Sequence, residues 1–113
     1  MSRELLSEFY VRQSQSNHTP RLPVGKAHHA RVDIRIWDIV GDNADVKFYV
    51  ESGDTHGNYF PLYTPNKITE KSQQSISIGP GMQIPQSLGD SIRIRWDISY
   101  VTVVTFSLNV EVW

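Results

Sequence analysis

Residues 91–112 read SIRIRWDISYVTVVTFSLNVEV. In the first half Ile92, Ile94, Trp96 and Ile98 alternate with Arg93, Arg95, Asp97 and Ser99. In the second half Val104, Phe106, Leu108, Val110 and Val112 alternate with Thr105, Ser107, Asn109 and Glu111. Side chains of an extended strand point to opposite faces with a period of two, so each half predicts a strand with one buried and one solvated face. Together they predict two strands covering a common core, and they carry no reaction chemistry.

The same alternation recurs upstream. Ala30, Val32, Ile34 and Ile36 oppose Arg31, Asp33, Arg35 and Trp37, the turn Gly41-Asp42-Asn43-Ala44 follows, and Val46, Phe48 and Val50 oppose Lys47, Tyr49 and Glu51. This pair reads as a β-hairpin. The next turn, Ser52 to Asn58, has the glycines and Asx residues that supply positive φ and local hydrogen bonds. Phe60 and Leu62 resume the core face, and Pro61, which removes a ladder donor, places that strand at an edge or ends it early. Thr64 to Gln74 reads as an irregular crossover, and Ile76 and Ile78 form a short strand that Gly79-Pro80-Gly81 ends. Met82 and Ile84 mark a restart before Pro85. Residues 1–27 combine an apolar piece (Leu5, Leu6, Phe9, Tyr10, Val11) with a stretch broken by Pro20 and Pro23, which reads as an extended N-terminal arm. The expectation is an all-β, antiparallel β-sandwich of jelly-roll or immunoglobulin-like topology over residues 28–113, with about six to eight strands and the arm 1–27.

The 113 residues suffice for one domain with its own core. There is no cysteine, so a disulfide framework, a thiolate metal site and a thiol nucleophile are excluded, and a reducing cytoplasm is favoured. No segment approaches the ~18 consecutive apolar residues of a membrane helix, and residues 1–11 lack a secretory apolar run. A net charge of −1 with scattered signs offers no field for nucleic acid or an anionic bilayer. Neither partner is expected.

Candidates for chemistry are few. His28 and His29 are adjacent and would point to opposite faces of a strand; His18 sits in the arm and His56 in a glycine-rich turn. Asp38, Asp42, Asn43 and Asp45 crowd oxygen ligands on one turn but lack the regular spacing of a calcium loop. Asp54 with Glu51 or Asp97 is the conceivable carboxylate pair, though nothing in the spacing selects it. No Gly-x-Ser-x-Gly elbow or phosphate-binding glycine loop occurs. No catalytic residue, metal or cofactor is expected. Trp37, Tyr49 and Trp113 are out of phase with their strands' core residues and so face outward. With Ile39 and the loop Tyr100 to Val103 they predict surface that a partner covers, that a sugar ring stacks on, or that the arm folds over.

The run VKFYVESGDTHGNYFPLY, Val46 to Tyr63, resembles the strand, Asx-Gly turn and aromatic strand of discoidin-like and carbohydrate-binding jelly rolls. Taken with LLSEFYVRQSQSN, VDIRIWDIVGDNADVKFYVES and IRIRWDISYVTVVTFSLNVEV, the chain resembles small tailed-phage β-sandwich virion proteins of the head-decoration, capsid-stabilising type. It departs from them in placing Tyr100, Val101 and Val103 in the turn before the last strand. It departs from discoidin-type loops in having neither Trp nor Arg at the tip of Ser52 to Asn58. The resemblance implies a non-enzymatic structural protein of the virion, assembled in the host cytoplasm. Such a protein self-associates as a homo-oligomer, with a trimer among the closed rings available, and docks on the major capsid protein or another virion component. The expected interface residues are Leu5, Leu6, Phe9, Tyr10, Trp37, Tyr49, Tyr100, Val101, Val103 and Trp113, with Arg31 and Arg35 at the rim. The alternative function is a carbohydrate-binding or host-surface-binding module.

Overall fold

The computed structural model describes residues 2–63 and 66–113. They form nine strands: β1 (Arg3–Arg12), β2 (Gln15–His18), β3 (Leu22–Pro23), β4 (Ala30–Val40), β5 (Asp45–Gly53), β6 (Tyr59–Tyr63), β7 (Ser72–Ile78), β8 (Ser91–Ser99) and β9 (Val103–Val112). Two antiparallel sheets result. One is four-stranded in the order β1-β9-β4-β7; the other runs β2-β8-β5-β6, with β3 also pairing β8. The antiparallel β-sandwich is thus the fold, with nine strands instead of six to eight because residues 1–27 contribute three.

The alternation read in the sequence is the buried pattern. Ile92, Ile94, Trp96 and Ile98 of β8 face Val104, Phe106, Leu108, Val110 and Val112 of β9 across the core, all nearly or fully buried. Phe106 is its aromatic centre. Its ring meets Trp96 and Phe48 edge-on at 5.4 and 5.1 Å, and Tyr10 stacks on it at 5.1 Å. Burying each such side chain contributes about 1.5–3 kcal/mol, and offset or edge-on ring contacts add roughly 0.5–1.5 kcal/mol each.

Several expectations change. Strands β4 and β5 are not a hairpin: β4 pairs β7 and β9, whereas β5 pairs β6 and β8. The turn at Gly41 to Ala44 reverses the chain while carrying it from one sheet to the other. Period-two alternation reports burial on one face, and two strands facing each other across a core satisfy it as well as two neighbours in a sheet. The same holds for β8 and β9, which lie in opposite sheets. The restart at Met82 and Ile84 is a single parallel bridge, Ile78 to Ile84, not a strand. Within the stretch read as an irregular crossover, Ile68 makes a two-hydrogen-bond bridge to Val46 and Ser72 begins β7, while Thr64 and Pro65 lie outside the described residues.

The 1–27 arm lies along the sandwich as edge strands. β1 runs antiparallel to β9 over Arg3–Arg12, and β2 and β3 run along β8. The chain steps from one sheet to the other at Gln13 and Ser14, between β1 and β2, and Ser14 Oγ pins that step by accepting from Val101 N (3.0 Å) and donating to Val101 O (3.1 Å). Strand β6, with Pro61, lies at an edge of its sheet, one of the two outcomes the proline allows, and Leu62 is buried there, whereas Phe60, expected on the same core face, is 57% exposed. The β4–β5 turn meets the β8–β9 turn, where Thr102 N donates to Val40 O at 2.7 Å. Gly41, at φ 154°, has no room for a Cβ against the Tyr100 backbone, so glycine is required there.

Candidate functional site

The outer face of the four-stranded sheet is built of rungs that cross all its strands. Phe9, Ser107, Arg35 and Gln73 form one; Ser7, Asn109, Asp33 and Ser75 the next; Glu4, Glu111, Arg31 and Ser77 the third. The third rung and its neighbour neutralise their own charges. Arg31 contacts Asp33 at 3.2 Å and Glu111 at 3.5 Å, and Ser75 Oγ donates to Asp33 at 2.6 Å.

The opposite end is aromatic. The β4–β9 register shifts between Ile36 and Asp38, which leaves Trp37 as the extra residue of a bulge. A bulge re-aims the side chain it carries, and Trp37 leans over β9 so that its Nε1 donates to Ser107 Oγ at 3.0 Å. Phe9, arriving on β1 from the other side of β9, brings its ring to 5.6 Å from Trp37 with planes 34° apart. The Arg35 guanidinium lies 3.6 Å from the Trp37 ring centroid, the geometry of a cation–π contact. Phe9 is 66% exposed and Val11 beside it 59%. A shallow depression of about 240 Å³ adjoins, lined by Arg35, Trp37, Lys71, Ser72 and Gln73 among others. The result is a strip of ring surface, with Phe9 open to solvent and Trp37 partly covered by Arg35, bordered by Thr105, Ser107 and Gln73.

The five-stranded sheet presents a different surface. Glu51 Oε1 accepts from Arg93 Nη2 at 2.8 Å and Nε at 3.1 Å, and Glu51 Oε2 lies 3.7 Å from Arg95. Arg95 reaches Asp97 at 3.3 Å, and Ser16 Oγ donates to Asp97 at 2.6 Å. Arg93 covers the Tyr59 ring and Arg95 the Tyr49 ring, each at 3.8 Å. As with Trp37, a guanidinium covers one face of each ring; what sets this surface apart is that its carboxylate oxygens are already engaged. Glu51 and Asp97 share this face with the Arg95 guanidinium bound to both, and Asp54 is occupied in its own turn, accepting from His56 N, Asn58 N and Asn58 Nδ2. These acids therefore do not stand as a free pair. Of the calcium candidates, Asp45 faces Lys67 at 3.6 Å and Asp38 Oδ1 accepts from Ile39 N. Among the described residues no three His, Asp or Glu side chains gather at metal-binding distance. His18 Nδ1 bonds Thr19 O at 2.6 Å, and His29 stacks on Trp113 at 5.6 Å.

The residues expected at interfaces thus separate. Phe9 and Trp37 come together on one face, Tyr49 lies on the other, Trp113 stands at one end of the sandwich and Tyr100, 75% exposed, at the tip of the β8–β9 turn. Val103 is half-buried beside that turn. Val101 is buried in its own core, because the turn folds back onto Val40 and Ser14. Leu5, Leu6 and Tyr10 pack against the core as well. Sequence reasoning had Phe9 and Trp37 but not their union, since they lie on strands separated by β9. The signal it lacked was pairing of the first strand with the last.

No protein-family model matches the sequence, and no curated protein does. Among solved structures, the chain is similar to the CBM22-1 xylan-binding domain of Xyn10C from Paenibacillus barcinonensis. The superposition has a TM-score of 0.50 over 97% of this chain and 94% of that one, at 14% sequence identity. That likeness is one of fold. It agrees in fold with the carbohydrate-binding jelly rolls that the sequence resembles, and nothing in it bears on the virion side of that resemblance.

Proposed function

We propose that this chain is a non-catalytic carbohydrate-binding module that holds a glycan against the outer face of its four-stranded sheet. The reading is supported chiefly by the Phe9–Trp37 ring pair, which is carried on two strands, has Phe9 and part of Trp37 exposed, and is bordered by hydroxyl and amide groups together with Arg35. A pyranose has one face of weakly positive C–H groups and a rim of hydroxyls. An aromatic face is negative at its centre and complements the former, while Ser107, Thr105, Gln73, Asn109 and the Arg35 guanidinium suit the latter. Side chains carried on strands bind with less ordering cost than side chains on loops. Similarity in fold to a xylan-binding domain is consistent with this reading. The virion role draws no support from that comparison, and the carbohydrate reading takes its place.

The test is affinity electrophoresis in gels containing soluble polysaccharides, xylan among them, followed by calorimetry on whichever one retards the protein. Trp37→Ala is expected to weaken binding by about tenfold to a hundredfold, the equivalent of exposing about 1.5–3 kcal/mol of ring burial. Tyr49→Ala, on the other sheet, is expected to leave it unchanged. Retention abolished by Tyr49→Ala and untouched by Trp37→Ala would move the site to the other sheet, and no retention in any gel would sink the proposal.

A further inference from the structure

The four sheet edges of the sandwich differ in how they are protected. β6 carries Pro61, and the β2–β3 edge is interrupted around Pro20 and Pro23. β7 is seven residues long, entered from Lys71 and closed by Gly79-Pro80. β1 is ten residues long and contains no proline, glycine or lysine. Its pairing with β9 shifts register between Glu4 and Leu6 and is regular from Leu6 to Arg12, and no strand among the described residues pairs the other side of that stretch. Unprotected regular edges pair with other strands. The Val11 carbonyl illustrates the opening: it accepts from Nη1 of its own neighbour, Arg12, at 2.9 Å.

The side chains on this edge are arranged for one particular neighbour. Glu8, Tyr10 and Arg12 follow one another on one side of the strand, an acid and a base flanking a ring, with the Arg12 guanidinium 5.1 Å from the Tyr10 centroid. Phe9 and Val11 occupy the other side, both largely exposed. A second β1 laid antiparallel, with the two-fold axis at Tyr10, sets Glu8 opposite Arg12 twice and Phe9 opposite Val11 twice. Moving the axis to Phe9 or Val11 removes both ion pairs, and moving it to Glu8 or Arg12 sets like charges against each other. Opposite charges directly across a pair of strands attract and like charges repel, so this strand is self-complementary in a single register.

We infer that the Glu8 to Arg12 stretch of β1 is a self-pairing edge through which two copies of this chain dimerise, joining their four-stranded sheets into one eight-stranded sheet. The contact is isologous, as a two-fold dimer requires. Because the axis is perpendicular to the sheet, both outer faces lie on the same side of the dimer and the two Phe9–Trp37 pairs flank the axis. Two platforms on one face would bind a polymeric ligand bivalently; that consequence rests on the carbohydrate reading, whereas the dimer does not.

The test is sedimentation equilibrium over about 1–200 μM, the range of a modest strand-edge contact. The wild-type mass is expected to rise toward twice 12.9 kDa with concentration. Arg12→Glu and Glu8→Arg, each checked for native circular dichroism, are expected to weaken association by about tenfold or more, and the double charge reversal to restore it to within about threefold. A wild-type mass that stays at 12.9 kDa throughout would overturn the inference. So would single reversals that associate normally, or a double reversal that stays monomeric. Polysaccharide binding by the monomeric variants, measured on oligosaccharides too short to bridge two sites, should be unchanged, so a failure of the dimer and a failure of the glycan reading give different results.

Discussion

Glu51 shows how strongly one side chain can organise a face of this protein. Its side chain is 11% exposed, and its carboxylate receives Arg93 and Arg95, whose guanidinium groups in turn lie over Tyr59 and Tyr49. Removing one member of a sheltered ionic cluster leaves the remaining charges short of partners, and that costs more than the pair contributed when intact. Glu51→Gln should therefore lower stability by about 1–3 kcal/mol, read as a drop in the thermal midpoint. A midpoint unchanged within error would mean that solvent already screens the cluster. Tyr10 yields a pH-dependent prediction. Burial raises its pKa above 10.0, the Glu8 carboxylate raises it further, and Arg12 opposes them. The unfolded phenol ionises first as pH rises, so the folded state holds its proton longer and stability falls from the unfolded pKa upward. Tyr10→Phe should remove that alkaline loss while leaving stability near pH 7 little changed, as urea unfolding at both pH values would reveal. Asp54 has the opposite sign. Its pKa is lowered, first by the Asn58 backbone N–H and then by its other donors in the turn. Its contribution is present above the ordinary carboxylate value and is lost as pH falls through the lowered one, so Asp54→Ala should flatten the acid limb of the stability profile.

At the scale of elements, β1 acts as the lid of one side of the core. Leu5, Leu6 and Tyr10 pack on it, and the Tyr10 ring lies 5.1 Å from both Trp96 and Phe106. Truncating that ring exposes two large aromatics at the sheet edge. Tyr10→Ala is expected to cost about 2–4 kcal/mol, less than a fully buried aromatic because Tyr10 is only half-buried. Amide exchange in β1 should rise before exchange in β4 or β5, and equal acceleration throughout would show that β1 opens only with the whole molecule. Deleting residues 1–27 would strip β1 from β9 and β2 and β3 from β8. The expected product binds a hydrophobic dye and lacks a cooperative thermal transition, in contrast to the intact core that trimming a free arm would leave.

Across the whole molecule, the first strand pairs with the nearly C-terminal β9, and β4 pairs with β9 and β7, so most contacts join residues distant in sequence. Such topologies fold slowly, on the order of milliseconds to seconds. Net charge −1 bears on function as well. A neutral glycan held by stacking and hydrogen bonds is insensitive to screening, so its dissociation constant should change by less than about twofold between roughly 50 and 500 mM salt. A steep salt dependence would point to an anionic ligand recognised through Arg35 and Lys71.

The sequence by itself determined the class of fold, the outward direction of Trp37 and Tyr49 and the restriction of the Pro61 strand to an edge or an early end, because alternation and proline act through local backbone geometry. It could not tell a turn within a sheet from a turn between sheets, since β4 and β5 bury the same alternate residues in either arrangement. Only the tertiary structure decided that β1 closes against β9, that Val101 and Tyr10 face inward, and that Phe9 and Trp37 meet across Ser107. Each depends on which distant strands become neighbours, and that choice is made by packing around Phe106, Trp96 and Phe48.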